Sequence, residues 1–295
     1  MTTANEDGAQ SLRRMLGEHG LIRAMAAHSP LSAMLVEEAG FDAIWASGFE
    51  LSALFGLPDA SLVTMTEHLG MVRAMGGRCG LPIVADIDTG FGNAINVLHT
   101  VREYERAGAA AVVLEDKQFP KVTSLLDGAR QELVRIEEFQ GKIEAALHAR
   151  QRGELVVVAR TEALIAGLGQ QEALRRGHAY ADAGADMILV HSKQKTPIEI
   201  EEFVREWERP VPLVIVPTAY PELEEARIRQ MAKIGMVIYG NHAIRASIRG
   251  MRAAFAEIAR TGNASTVRSI IAEVEDVFEL QDMNGVNVNE ARYVR

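Results

Sequence analysis

Cysteine is nearly missing from this chain of 295 residues. Cys79 stands alone, which rules out a disulfide within the chain and suits a reducing, cytoplasmic compartment. No apolar run approaches the length of a membrane span. The first twenty residues, with Asn5, Glu6 and Asp7, lack the apolar core of a signal peptide, and residues 1–10 read as disordered. A basic excess is lacking too. The formal net charge is −9 with no clustered Lys/Arg face, which argues against nucleic acid as a partner. No Ser/Pro/Gly-rich linker divides the middle, so one domain spanning 1–295 is expected, with a helical extension from about residue 241. No glycine-rich fingerprint follows the first strand, so NAD or ATP is not expected as a cofactor.

What is present is apolar (48% hydrophobic residues) and regularly punctuated. The most informative stretch is 111–128. An apolar run ending at Leu114 reads as a buried parallel strand. It meets Glu115, Asp116 and Lys117 at once, and Lys121, Thr123 and Ser124 follow. A carboxylate at a strand end suits a hard cation. The segment after it suits a lid that closes over an anionic substrate.

The same unit recurs along the chain. Strands are predicted over 22–27, 42–46, 82–85, 111–114, 155–159, 187–190, 213–216 and 236–238. Helices are predicted over 11–18, 32–39, 65–74, 95–107, 130–152, 170–183, 197–207 and 222–234. Eight strands alternating with helices predict a (β/α)₈ TIM-type barrel of the α/β class. Three helices end in the same Ala-Gly phrase, at Gly40, Gly108 and Gly184, where glycine supplies a left-handed cap. Two further helices, 241–260 and 265–280, exceed what a barrel needs.

In such barrels the chemistry sits at the C-terminal ends of the strands. Those positions hold Ser47, Asp86, Asp88, Glu115, Arg160 and His191, and Asp59 lies in the loop after Gly48. Asp86 and Asp88 stand two apart, which from a strand end lets both point to one side. With Glu115 and Asp59 they make an all-oxygen set that favours Mg²⁺ or Mn²⁺ over Zn²⁺. Alternatively, Asp88 only caps a turn. Arg160 suits a substrate carboxylate, or else an ion pair with Glu162. His191 suits a proton donor or an oxyanion contact, or a structural role. The Ser47-Gly48-Phe49 segment offers a small anion nest. Lys121, Thr123 and Ser124 offer one cation and two hydroxyls to a phosphoryl or phosphonyl group, unless the loop is simply solvated. Residues 239–242 are candidates for the pocket rim. Cys79 reads as buried filler.

Three segments resemble the phosphoenolpyruvate mutase/isocitrate lyase superfamily. They are Phe-Asp-Ala-Ile-Trp-Ala-Ser-Gly (41–48), Asp-Ile-Asp-Thr-Gly-Phe-Gly (86–92) and Glu-Asp-Lys (115–117), and the likeness covers about 20–260. The resemblance implies a 2-oxo acid bound to Mg²⁺, with Asp86 as direct ligand and Asp59, Asp88 and Glu115 acting through metal-bound waters. Trp45, Ser47, Gly48 and Phe49 would hold the pyruvyl part with Arg160, and His191 would lie beside the reacting group. It also implies a C-terminal helix exchanged between paired barrels in a tetramer, a dimer of such dimers. The C–C lyases of this superfamily carry a loop cysteine that is absent here. Phe-Pro-Lys before serine resembles the phosphonopyruvate-using branch. In that branch the mutases resemble Lys-x-Asn-Ser, and Thr123 stands where the Asn would be. Hydrolysis of the P–C bond is therefore expected, with Thr123, His191, Lys121 and Arg160 as the reacting set and Ser124 among the substrate contacts. Phosphoryl transfer to the enolate oxygen, C–C lysis, decarboxylation and a non-catalytic sensor are the alternatives.

Overall fold

Eight short apolar runs pair side by side in the computed structural model, which describes residues 7–18, 20–124, 126, 128 and 131–295. They are β1 (Ile22–Ala27), β2 (Ala43–Ala46), β3 (Ile83–Asp86), β4 (Ala109–Glu115), β5 (Val156–Thr161), β6 (Met187–Val190), β7 (Leu213–Ile215) and β8 (Ile234–Tyr239). Every neighbouring pair is parallel, and β8 pairs with β1 to close the barrel. Strands β2–β7 are buried on both faces, which is why their sequences run apolar without alternation.

Alternation governs instead which core each side chain joins. Ala24, Trp45, Val84, Val113, Val158, Leu189, Val214 and Ile238 share the barrel interior. Their neighbours Ile44, Ala85, Val112, Ala159, Ile188 and Val237 join the core beneath the surrounding helices. Those helices are α2 (Pro30–Glu38), α3 (Gly48–Leu54), α4 (Met65–Gly76), α5 (Ala94–Arg106), α6 (Ile136–Ala149), α7 (Gly169–Asp182), α8 (Ile198–Glu206) and α9 (Glu225–Gln230). Capping boxes start α2 at Ser29, α4 at Thr64 and α5 at Asn93. The three Ala-Gly junctions do turn through positive φ, at 76°, 90° and 97° for Gly40, Gly108 and Gly184.

Helix α1 (Gly8–Gly17) packs beside β4 and β5. It contributes the fully buried Leu12 to the interior cluster, a burial worth about 1.5–3 kcal/mol. Arg13 fixes it by donating to the Glu154 and Leu155 carbonyls and to Asp186. The expected disorder of residues 1–10 fails at 8–10, because Asp7 caps the helix through Ala9 N; residues 1–6 lie outside the described residues.

Four further expectations are corrected. The segment after strand 2 is not a loop at Gly48: Ser47 Oγ accepts from Glu50 N (3.2 Å) and starts α3 there. The helix predicted from 130 begins only at Ile136, its first residue, Arg130, lying outside the described residues. Residues 132–134 instead pair back onto 116–118, through Gln118 N to Glu132 O and Val134 N to Asp116 O. The helix predicted over 222–234 shrinks to α9. Ala232 takes φ of 55°, and Lys233 Nζ donates to the carbonyls of Val204, Arg205 and Trp207, which ends the helix and frees Ile234 for β8. The helix predicted over 265–280 splits in two, because Glu273 and Asp276 form a capping box that starts a new helix.

The chain divides into two compact units, residues 1–242 and 243–295. The second unit contains nearly all of α10 (His242–Thr261), a 3₁₀ segment (Ala264–Ile270), α11 (Val274–Leu280) and α12 (Met283–Tyr293). It leaves Phe255, Phe278, Val286 and Val288 exposed. No helix among the described residues is long and apolar enough to cross a membrane.

Candidate active site

Several strands that carry apolar side chains into the barrel end by placing a polar one at the same parity. The series Val84, Asp86 and Val113, Glu115 do so, as do Val158, Arg160, Glu162 and Leu189, His191. Asp116, of the opposite parity to Val113 and Glu115, falls outside instead. There it accepts from Tyr180 OH (2.7 Å), Arg176 Nη1 (3.1 Å) and Glu162 N (2.9 Å).

A pocket opens at this end, with about 530 Å³ of free space counting its mouth. Trp45, Ser47 and Phe49 line one side. Asp59, Asp86, Lys121, Thr123, Ser124, Arg160 and His191 also face it, and Val216, Thr218, Gly240 and Asn241 complete it. Of the remaining expected residues, Asp88 and Glu115 lie buried and are not among the lining residues, and Gly48 packs closely against Asp86 and Asp88. A Cβ added at Gly48 would lie 3.0 Å from Asp88 Oδ1 and 3.3 Å from Asp86 Oδ2, so only glycine fits without displacing a carboxylate. Of the expected rim, Gly240 and Asn241 line the pocket; Tyr239 instead packs edge-on against Phe41 and His242.

Asp86 and Asp88 converge for a reason other than strand alternation. The strand ends at Asp86, and Asp88 turns back at φ of 51°, its N–H donating to Asp86 Oδ1 (3.2 Å). Asp and Asn tolerate that backbone region better than most residues. Asp86 Oδ2 accepts from Gly48 N (3.3 Å), and Asp88 Oδ2 from Ser61 Oγ (3.3 Å). Lys121 comes in from the loop. Its Nζ lies 2.9 Å from Asp59 Oδ1 and 2.6 Å from Asp88 Oδ1, two buried oxygens that form no hydrogen bond with another described residue. Burial would lower the Lys121 pKa, but Asp88 and then Asp59 more than reverse this and hold it well above the usual range. Burial pushes Asp88 upward against the pull of Lys121.

The chemistry of the donor set suits a hard divalent cation, though no three of its carboxylates are drawn together into a ready-made metal cage among the described residues. Four buried or nearly buried carboxylates, Asp59, Asp86, Asp88 and Glu115, have Lys121 and Arg160 between them as ion-pair partners among the described residues. Glu115 Oε1 is buried with no hydrogen-bond partner among the described residues. Burial raises Glu115 to about 7 although Lys117 and Arg160 oppose it, the mark of a carboxylate short of positive charge. All these donors are oxygens, which suits Mg²⁺ or Mn²⁺.

On the facing side Arg160 takes both roles weighed for it. It lines the pocket, and its Nε donates to Glu162 Oε1 (2.6 Å) and lies 3.3 Å from Glu115 Oε2. Its Nη2 donates to Ser124 Oγ (3.1 Å) and lies 2.9 Å from His191 Nδ1. Burial, then the Arg160 charge, lowers the His191 pKa, which keeps its imidazole neutral near pH 7. Glu162 was missed as a site residue. It is fully buried, and burial alone would raise its pKa, but Arg160, Lys117 and His191 hold it well below the usual carboxylate range. Its parity with Val158 and Arg160 was the available signal. Thr218 was missed likewise: it follows Val214 and Val216 at the same parity, and its buried Oγ1 has no hydrogen-bond partner among the described residues.

The chain as a whole is similar to known enzymes. The chain belongs to the phosphoenolpyruvate phosphomutase family, which matches residues 12–259. It is 57% identical to a phosphonopyruvate hydrolase of Variovorax sp. (strain Pal2), over 97% of this chain and 99% of the relative. A phosphoenolpyruvate phosphomutase of Tetrahymena pyriformis is 42% identical, over 96% of this chain and 94% of that one. Among solved structures, a phosphonopyruvate hydrolase in complex with oxalate and Mg²⁺ superposes with a TM-score of 0.93 at 55% identity, covering 98% of this chain and 100% of that chain. A phosphoenolpyruvate phosphomutase from Streptomyces platensis subsp. rosaceus superposes with a TM-score of 0.95 at 49% identity, with the same coverages.

Proposed function

We propose that this chain is a Mg²⁺-dependent phosphonopyruvate hydrolase, which cleaves the P–C bond of 3-phosphonopyruvate to give pyruvate and phosphate. The observation that carries the reading is Thr123 facing the same pocket as Arg160 and the carboxylate cluster, in a chain so similar to a named hydrolase. Asp86 would hold the metal directly, with Asp59, Asp88 and Glu115 around it. Bound there, Mg²⁺ would stabilise the negative charge that develops on the pyruvyl oxygens.

The protein groups divide the rest of the work. Arg160 receives the substrate carboxylate, beside Trp45, Ser47, Gly48 and Phe49. Lys121 keeps one of its three N–H donors beyond Asp59 and Asp88, and offers it to the phosphonyl oxygens. The Thr123 hydroxyl orients a water in line with the P–C bond. As that bond breaks, its electron pair stays on carbon as the enolate, and the water oxygen bonds to phosphorus. The enolate carbon then takes a proton and leaves as pyruvate. Neutral His191 lies beside the reacting group. Its Nδ1 lies 2.9 Å from Arg160 Nη2 and 3.1 Å from Glu162 Oε1, which together hold the ring in place.

The exposed apolar side chains of residues 243–295 support exchange of a C-terminal helix with a second copy, and a tetramer built as a dimer of such dimers. The single cysteine supports a cytoplasmic location. We take the chain as one barrel domain with a helical extension. Phosphorus NMR of phosphonopyruvate incubated with the protein and Mg²⁺ tests the activity. Phosphate with equimolar pyruvate supports hydrolysis, accumulation of phosphoenolpyruvate assigns a mutase, and no turnover removes both.

A further inference from the structure

Behind the pocket the loop is held by a small, largely buried set of polar atoms. Lys117 stands at the base of the loop and is 2% exposed. Its Nζ donates to Val122 O (2.8 Å) and Ser124 Oγ (2.6 Å) and lies 3.1 Å from Glu162 Oε2. These contacts use all three of its N–H donors. Ser124 Oγ in turn donates to Glu162 Oε2 (2.6 Å) and accepts from Lys117 and from Arg160 Nη2. Its one proton and both lone pairs are thereby committed, so this hydroxyl is not left over for a phosphonyl group. Glu162 faces both ways: Oε2 holds the loop, and Oε1 holds Arg160.

We infer that Lys117 and Glu162 form a latch that clamps Val122 and Ser124, the two neighbours of Thr123, and so fixes Thr123 over the pocket. Both are positioning residues, and the inference rests on the hydrolase reading above. The latch also links the two ends of the substrate. The arginine proposed to bind the carboxylate and the loop that covers the phosphonyl group share one carboxylate. A ligand that draws Arg160 towards itself therefore acts on the same Glu162 that holds the loop. Buried, saturated polar sets of this kind specify one arrangement, because a partial set leaves a buried charge unpaired.

The test uses the full chain and three variants, Lys117→Met, Ser124→Ala and the double variant. Oxalate with Mg²⁺ is the probe for the carboxylate end, because it has no phosphonyl group. For Lys117→Met we expect kcat on phosphonopyruvate to fall about tenfold or more, with KM and oxalate Kd changed less than about threefold, since Arg160 and the carboxylates stay in place. Protease cleavage within 117–128, suppressed by oxalate and Mg²⁺ in the parent, should persist in the variant. The double variant should be no worse than the worse single one within about threefold, because both break one unit. Ser124→Ala buries no unpaired charge, so it carries the same readouts if Lys117→Met fails to fold. An unchanged kcat with protection intact overturns the latch. So does an equal loss of oxalate binding and kcat, which would make Lys117 a general structural residue. If the parent releases no phosphate from phosphonopyruvate, the hydrolase reading falls, yet the protease comparison still decides whether the latch holds the loop.

Discussion

Replacing Thr123 by alanine separates chemistry from binding more cleanly than any other change at this site. Thr123 lines the pocket and is half-buried. Its backbone is fixed independently of its side chain, since Gln131 Nε2 donates to its carbonyl (3.0 Å). Its hydroxyl makes no hydrogen bond to a described residue, so removing it strands no buried partner and should cost well under about 1 kcal/mol of stability. The loss should fall on the transition state instead. A positioned catalytic group is worth about 10²-fold, or about 2.7 kcal/mol of barrier, so kcat should drop by that factor with KM little changed. Thr123→Asn should also lower hydrolysis sharply, because the amide fills the space of the water. The assay follows phosphate and phosphoenolpyruvate separately by phosphorus NMR, with unfolding midpoints as the control. Hydrolysis by Thr123→Ala at the parent rate would refute the role given to this hydroxyl.

Asp86→Ala should fold yet keep less than about a tenth of the activity at saturating Mg²⁺, because the proposed direct ligand is lost; a more active variant removes Asp86 from the metal site. Chelation should stop turnover, with Mg²⁺ or Mn²⁺ restoring it and Zn²⁺ doing so poorly, as a metal titration would read. Arg160→Lys should lower kcat/KM by about 2–4 kcal/mol, since one ammonium cannot serve Glu162, Ser124, His191 and a substrate carboxylate together; near-parent kinetics would limit Arg160 to its ion pair. His68 is buried against Tyr104 OH (2.7 Å), and burial lowers its pKa to about 4. The unfolded chain therefore binds more protons there, so this group's stabilisation is complete above about pH 6.5 and is lost as pH falls towards 4, by about 3 kcal/mol. Urea unfolding at pH 7 and 4.5 should show that loss in the parent and a smaller one in His68→Asn; equal losses would discount His68.

The barrel was legible because each strand is a short apolar run ended by a polar residue, and because glycine marks three helix ends. The same rule brought out Asp86, Glu115, Arg160 and His191. It failed where a residue had a second plausible role. Glu162 was read only as a rival partner for Arg160, yet it follows Val158 and Arg160 at interior parity. Ser47 was read as part of a nest, while its hydroxyl starts a helix. Other features depend on contacts between segments far apart in sequence. The seat of Lys121 between Asp59 and Asp88 is one, and the pairing of 116–118 with 132–134 is another. No local pattern encodes these, because each needs the finished barrel to bring the partners together.

Two solved structures with different named activities superpose on this chain almost equally well, so the backbone does not choose between hydrolysis and transfer. Both outcomes begin with the same broken P–C bond and the same enolate. They part on whether water or the enolate oxygen next meets phosphorus, a choice made within a few ångströms of the loop. An amide at position 123 would hold the phosphoryl group and exclude water, whereas threonine is shorter and leaves room for one. That advantage exists only if the side chain is held in place, since a group displaced by about 1 Å loses much of its effect. The inferred clamp on Val122 and Ser124 would supply that constraint from beneath the loop. On the proposed reading, reaction choice on this barrel would rest on one side chain and the buried charges that aim it.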